Sequence, residues 1–142
     1  MSHDSYDPKT IRDLLGSVKT IAVVGASANP ARPSFGVMRF LIEKGYRVLP
    51  VNPGHAGGEI LGQTVFARLS DIPDAVDMVD VFRAADQLSG VIDEALALDP
   101  KPKAIWGQLS VRDDKAAEKA EAEGVTVIMD RCPAIEYPRL IG

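Results

Sequence analysis

Apolar and polar positions along this chain alternate between two rhythms. Residues 20–24 are an unbroken apolar run, Thr20-Ile21-Ala22-Val23-Val24. A run of that length with no polar alternation fits a strand buried on both faces, as in a parallel sheet. Four further, mainly apolar stretches, residues 46–51, 75–82, 103–106 and 125–129, predict four more strands. Between them the period becomes helical. Val37, Phe40, Leu41 and Lys44 share a face of a helix over 34–44 that ends at Gly45. Leu88, Val91, Ile92, Ala95 and Leu96 give the clearest stripe, and an alanine-rich helix over 113–123 ends at Gly124. Ahead of the first strand, Asp7-Pro8 reads as an N-cap followed by proline at the first helical position. The short helix it opens carries Ile11, Leu14 and Leu15 and stops at Gly16. The polar stretch 55–64 reads as loop, and Leu69 to Ile72 as a short turn.

Strands and helices in this alternation imply βαβ units. The expected class is α/β: a Rossmann-like three-layer domain with a five-stranded parallel sheet. Right-handed crossovers suggest the order 3-2-1-4-5. The 142 residues suit one domain, with 1–19 as an N-terminal segment bearing a short helix. Ligands of such sheets bind beyond the carboxyl ends of the strands, where the order reverses.

Composition narrows the partners. A net charge of −4 implies no basic face, so nucleic acid is not expected. The apolar runs fall well short of the ~20 residues a membrane helix needs. Residues 1–9 are polar and lack the layout of a signal peptide, so the expected compartment is the cytoplasm. The single cysteine, Cys132, excludes an internal disulfide and any multi-cysteine metal site. No Ser/His/Asp constellation, paired-carboxylate site or metal-ligand spacing stands out.

The first strand-to-helix loop carries the chemistry. It runs Gly25-Ala26-Ser27-Ala28-Asn29-Pro30-Ala31-Arg32-Pro33-Ser34. Gly25 permits a tight exit and close approach of backbone to a ligand. Ser27 and Ser34 offer hydroxyls, the following helix offers N–H groups, and Arg32 a planar cation, which together suit a phosphate. A plain turn with a solvated arginine is the alternative. The dinucleotide fingerprint wants glycine where Ser27 and Pro30 stand, and an acid where the second strand ends Val51-Asn52-Pro53. NAD is therefore disfavoured, although Arg32 suits the 2′-phosphate of NADP, so an NAD(P)-binding oxidoreductase or redox sensor stays as the alternative.

The residues from Thr20 to Ser34, together with Gly45-Tyr46-Arg47-Val48-Leu49-Pro50-Val51-Asn52-Pro53, resemble the small stand-alone CoA-binding proteins. Those are similar to the N-terminal domain of the succinyl-CoA synthetase alpha subunit. Val79-Asp80-Val81-Phe82-Arg83, Ile105-Trp106-Gly107-Gln108 and Asp130-Arg131-Cys132-Pro133 match in the same order. The resemblance implies coenzyme A or an acyl-CoA as ligand. It implies that Gly25, Ala26, Ser27, Arg32 and Ser34 take the pyrophosphate, and that Asn52 and Pro53 line the nucleotide side. His55 stands where the synthetase has a lysine, so Arg83 is expected to share the 3′-phosphate. Val81 and Phe82 offer an apolar wall for adenine, and Trp106 and Gln108 would sit near the pantetheine. Each has a plainer reading: Trp106 as a core aromatic, His55 as an exposed loop residue, Arg83 as a surface ion pair. Cys132 reads as a small buried hydrophobe, or as a thiol that meets the CoA thiol if accessible and ionised. The synthetase resemblance also implies a phosphorylated histidine in a second domain. This chain's histidines, His3 and His55, do not stand where that chemistry needs one. The expectation is a non-catalytic carrier, sensor or regulatory module whose protein partner is unknown.

Overall fold

The computed structural model describes residues 3–142. In chain order its elements are α1 (Pro8–Ser17), β1 (Thr20–Val24), α2 (Pro33–Glu43), β2 (Arg47–Val51), β3 (Glu59–Ile60) and β4 (Gln63–Thr64), then β5 (Met78–Val81), α3 (Leu88–Leu96), β6 (Ala104–Gly107), α4 (Asp114–Glu121), β7 (Thr126–Ile128) and α5 (Pro133–Leu140). Asp7 caps α1 as its sequence position suggests, accepting the N–H of Lys9 at 2.9 Å. Asp113 caps α4 through the N–H of Ala116 at 3.0 Å.

The five long strands form one parallel sheet with helices on both faces, the α/β Rossmann-like arrangement. Alternate residues of each strand feed two cores. Ala22, Val24, Val79, Val81 and Ile105 pack with Val91, Ile92 and Ala117 of α3 and α4. Ile21, Val23, Met78 and Trp106 pack with Leu15 of α1 and Met38 of α2. Both faces are covered, which is why the central strands are apolar at every buried position but Asp80.

The strand order is β2-β1-β5-β6-β7. Counted along the chain, the long strands run 2-1-3-4-5, so the third lies beside the first rather than beyond the second as in 3-2-1-4-5. Pro50 gives the physical reason. Its carbonyl accepts the N–H of Phe66 at 3.0 Å on the side of β2 away from β1. The missing N–H of Pro50 lies on that same side, where a further long strand would need it. The edge is closed instead by Phe66, bridged to Val51, and by the small β3–β4 hairpin, an element the polar stretch 55–64 does not announce.

Two further features lie outside the sequence expectations. Helix α5 contains Pro138, and it packs on α1 and α2 through Tyr137, whose ring meets Phe40 and Tyr46 edge-on. The segment before α1 is tied to the far edge of the sheet. His3 is buried, its Nε2 2.7 Å from Glu121 Oε1 and its Nδ1 2.7 Å from the Tyr6 hydroxyl, which accepts the N–H of Met129 at 2.9 Å.

Candidate functional site

The loop after β1 is built by its own polar side chains. Gly25 has φ +88°, a conformation L side chains rarely adopt, and a Cβ there would stand 2.8 Å from the carbonyl oxygen of Phe82. Its N–H donates to Val51 O at 3.0 Å. These contacts draw the ends of β1, β2 and β5 together. Downstream, Ser34 Oγ accepts the N–H of Ser27, Ser27 Oγ that of Asn29, and Asn29 Oδ1 that of Ala31, all within 3.1 Å. Asn52 clamps the loop from β2: its Nδ2 donates to Ala26 O at 2.8 Å while its Oδ1 accepts Gly54 N–H at 2.9 Å. Ser34 and Asn52 are thus tied up in holding the loop's shape.

The result is an open, polar hollow of about 380 Å³ lined by Gly25, Ala26, Ser27, Arg32, Pro33, Ser34, Asn52, Phe82 and Arg83. Arg32 stands at the N-cap position of α2 and no side chain caps the helix. Pro33 has no N–H and the Phe35 N–H donates to Arg32 O at 3.1 Å, so α2 offers the hollow chiefly the positive end of its dipole. Neither Arg32 nor Arg83 has an ion-pair partner among the described residues. Local charge is positive although the chain is acidic overall.

The hollow sits at the switch point. β1 and β5 are neighbours, yet α2 packs on one face of the sheet and α3 on the other. The crevice opens where those connections part. A second, mostly apolar cavity of about 410 Å³ adjoins it, bounded by Val24, Val51, Pro53, Leu69, Val91, Arg68, Gln87, Gly90 and Glu94, with Arg83 common to both.

Other expected residues lie elsewhere. Pro53 borders the second cavity, whereas His55 is exposed on the next turn and lines neither. Val81 and Trp106 are fully buried, because both faces of their strands are covered by helices. The Trp106 indole N–H is satisfied by Arg131 O at 2.9 Å, so this ring is core and walls no cavity. Gln108 is 6% exposed and its Oε1 has no partner among the described residues. Cys132 is a buried free thiol at the N-cap of α5.

Two features escaped the sequence reading. The second cavity is bounded by Gln87, Gly90, Val91 and Glu94, spaced along one side of α3; a glycine inside a strong helical stripe is the signal that could have revealed it. Asp80 is the other. It stands in the middle of the sheet, in register with Val23 and Trp106, fully buried, with both carboxylate oxygens unpartnered among the described residues. Burial pushes this carboxyl well above the usual range, towards the neutral acid.

Among the described residues no helix is long and apolar enough to cross a membrane, and no three His, Cys, Asp or Glu gather as a metal site. Comparison with known proteins places this geometry in a family. The protein YneT of Bacillus subtilis (strain 168) is 38% identical over 127 residues, 89% of this chain and 91% of that protein. The alpha subunit of an ADP-forming acetate–CoA ligase from Pyrococcus furiosus is 36% identical over 86 residues, 58% of this chain but 19% of the subunit. A solved structure from Pyrococcus horikoshii OT3 superposes with a TM-score of 0.91 at 34% identity, covering 100% of this chain and 97% of its own. One from Thermus thermophilus gives 0.89 at 40% identity, covering 96% and 100%. The CoA binding domain model matches residues 19–138, and the chain therefore belongs to the CoA-binding domain family.

Proposed function

We propose that this domain binds coenzyme A or an acyl-CoA, with the pyrophosphate in the hollow formed by loop 25–34, and acts as a non-catalytic carrier, sensor or regulatory module. The observation that carries the reading is the pairing of two ion-pair-free arginines, Arg32 and Arg83, with the uncapped start of α2 at the switch point. A phosphate there receives charge-assisted hydrogen bonds and the helix dipole together. The ligase relative suggests the same ligand class.

The test is a thermal-shift panel with CoA, acetyl-CoA, NAD and NADP at equal concentration. A ligand bound only by the folded state raises the melting temperature, and at equal concentration the tighter ligand raises it more, in step with the logarithm of its affinity. CoA or acetyl-CoA should raise it and the two dinucleotides should not. A larger shift with NADP would replace the CoA reading by a redox one.

A further inference from the structure

Resting on the CoA reading above, we infer that Asp80 and Gln108 form a hydrogen-bonded pair, held by a proton, beneath the hollow of loop 25–34, and that phosphate-bearing ligands bind there with uptake of that proton. The two residues stand on one face of the sheet. Met78, Asp80 and Phe82 alternate along β5, and Met78 and Phe82 pack in the core under α1, α2 and α5. Asp80 pairs in register with Trp106 of that same core, so Gln108, two residues further on, belongs to the same face. The Gln108 N–H donates to Val81 O at 3.1 Å, which carries the ladder one step past β6 and sets Gln108 beside Phe82. Residues diagonal across neighbouring strands lie roughly 7–8 Å apart, within reach of long side chains.

Each side chain lacks what the other supplies. Both Asp80 carboxyl oxygens and Gln108 Oε1 are buried without a partner among the described residues. Buried polar groups are nearly always bonded, so three orphaned acceptors on one face call for a donor. A proton on Asp80 makes one of its oxygens that donor and Gln108 Oε1 its acceptor. Burial drives the carboxyl the same way. The surrounding elements offer Asp80 no counter-charge. Its neighbours in register on β1 and β6 are Val23 and Trp106. The charged residues of α1 and α2, Lys9, Arg12, Asp13, Arg39 and Glu43, are exposed. On α5 the buried Glu136 holds its own Arg139 at 3.3 Å, and Cys132 at its start is a free thiol. The Tyr46 hydroxyl donates to Leu15 O.

Phe82 joins the pair to the ligand. It follows Asp80 on the same face, stands beside Gln108, and lines the hollow together with Arg83. At about 3.3 Å per residue, Asp80 lies roughly 7 Å along the strand from that wall. An ionised Asp80 places a negative charge behind the phosphates, in a dry core that screens it little. Phosphate therefore favours the protonated form. By linkage, binding draws a proton from solvent onto Asp80 and forms one O–H bond there.

Dephospho-CoA is the probe, because it lacks the 3′-phosphate monoester, a group that itself titrates near about pH 6. Titration calorimetry from about pH 6 to about pH 9 should show the wild-type affinity falling at least about threefold further than that of Asp80→Asn. The asparagine keeps a donor for Gln108 Oε1 but cannot ionise. Repeated in two buffers of different ionisation heat, binding to the wild type should take up a fraction of a proton at the alkaline end that binding to Asp80→Asn does not. Parallel profiles with binding intact would overturn the inference and leave the CoA reading standing. If Asp80→Asn fails to fold, the wild-type proton count still decides: no uptake at any pH overturns the inference. A wild type that binds neither dephospho-CoA nor CoA at any pH would overturn both readings. For the pair itself, Gln108→Leu should lower the melting temperature of the wild type, and lower that of Asp80→Ala by clearly less. Equal losses in the two backgrounds would remove Gln108 from the pair.

Discussion

Asp80 and Gly25 show how much a single position can decide. Burial raises the Asp80 carboxyl well above its ordinary value near 4, so the folded sheet holds this proton more tightly than the unfolded chain does. Its folded pKa is raised, so the stability it contributes is fully present below about pH 4 and is lost as pH rises towards the folded value. Asp80→Asn removes that titration. The variant should gain on the wild type as pH climbs from 4 to 8, read as the difference in urea midpoint at each pH. Parallel midpoints across the range would mean that Asp80 ionises normally in the fold. At Gly25 the cost is geometric. A side chain there must adopt φ +88° and crowd the Phe82 carbonyl. Gly25→Ala should lose roughly 2–4 kcal/mol of stability, the sum of backbone strain and overpacking. A variant that melts with the wild type would show that the junction of β1 and β5 relaxes freely.

The elements divide into those with a clean local signal and those held by tertiary contacts. The long strands and α1 to α4 follow from apolar runs, periodicity and caps visible in the chain. Helix α5 does not, because Pro138 interrupts its pattern and its eight residues are too few to hold a helix alone. Packing holds it in place: Tyr137 lies 5.8 Å from the Phe40 ring and 6.2 Å from that of Tyr46, with Lys44 over its face. Tyr137→Ala should therefore cost about 2–3 kcal/mol, less than a fully buried aromatic because the ring is half-exposed. Urea denaturation measures it, and a loss below about 0.5 kcal/mol would mean that α5 contributes little to the fold. The β3–β4 hairpin is similar: its strands are two residues each and stand only because β2 needs its outer edge covered.

At the scale of the whole molecule, the sheet order places two cavities and one shared arginine at the same crevice. Arg83 lines both, and under the proposed CoA reading it is the cation expected to meet the 3′-phosphate. CoA should then bind more tightly than dephospho-CoA by roughly three- to twentyfold, one exposed charge contact of about 1 kcal/mol or a little more. The gap should narrow in high salt, where exposed charges are screened, and close in Arg83→Ala. Competition binding of the two ligands at two ionic strengths reads it, and equal affinities in the wild type would detach Arg83 from the 3′-phosphate. The sequence by itself determined the α/β class and the polar turn from Gly25 to Ser34, because both rest on local patterns: apolar runs, caps, and turn-forming side chains. Pro50 is consistent with β2 at the edge, but the expected order 3-2-1-4-5 placed that strand inside the sheet. Tertiary structure alone decided the rest. It buried Trp106 and Val81 beneath helices, left His55 outside both hollows, and put Pro53 and Glu94 of α3 on the wall of one mostly apolar cavity. The last needs residues about forty apart in the chain to meet, and no periodicity along a sequence encodes which distant segments share a wall.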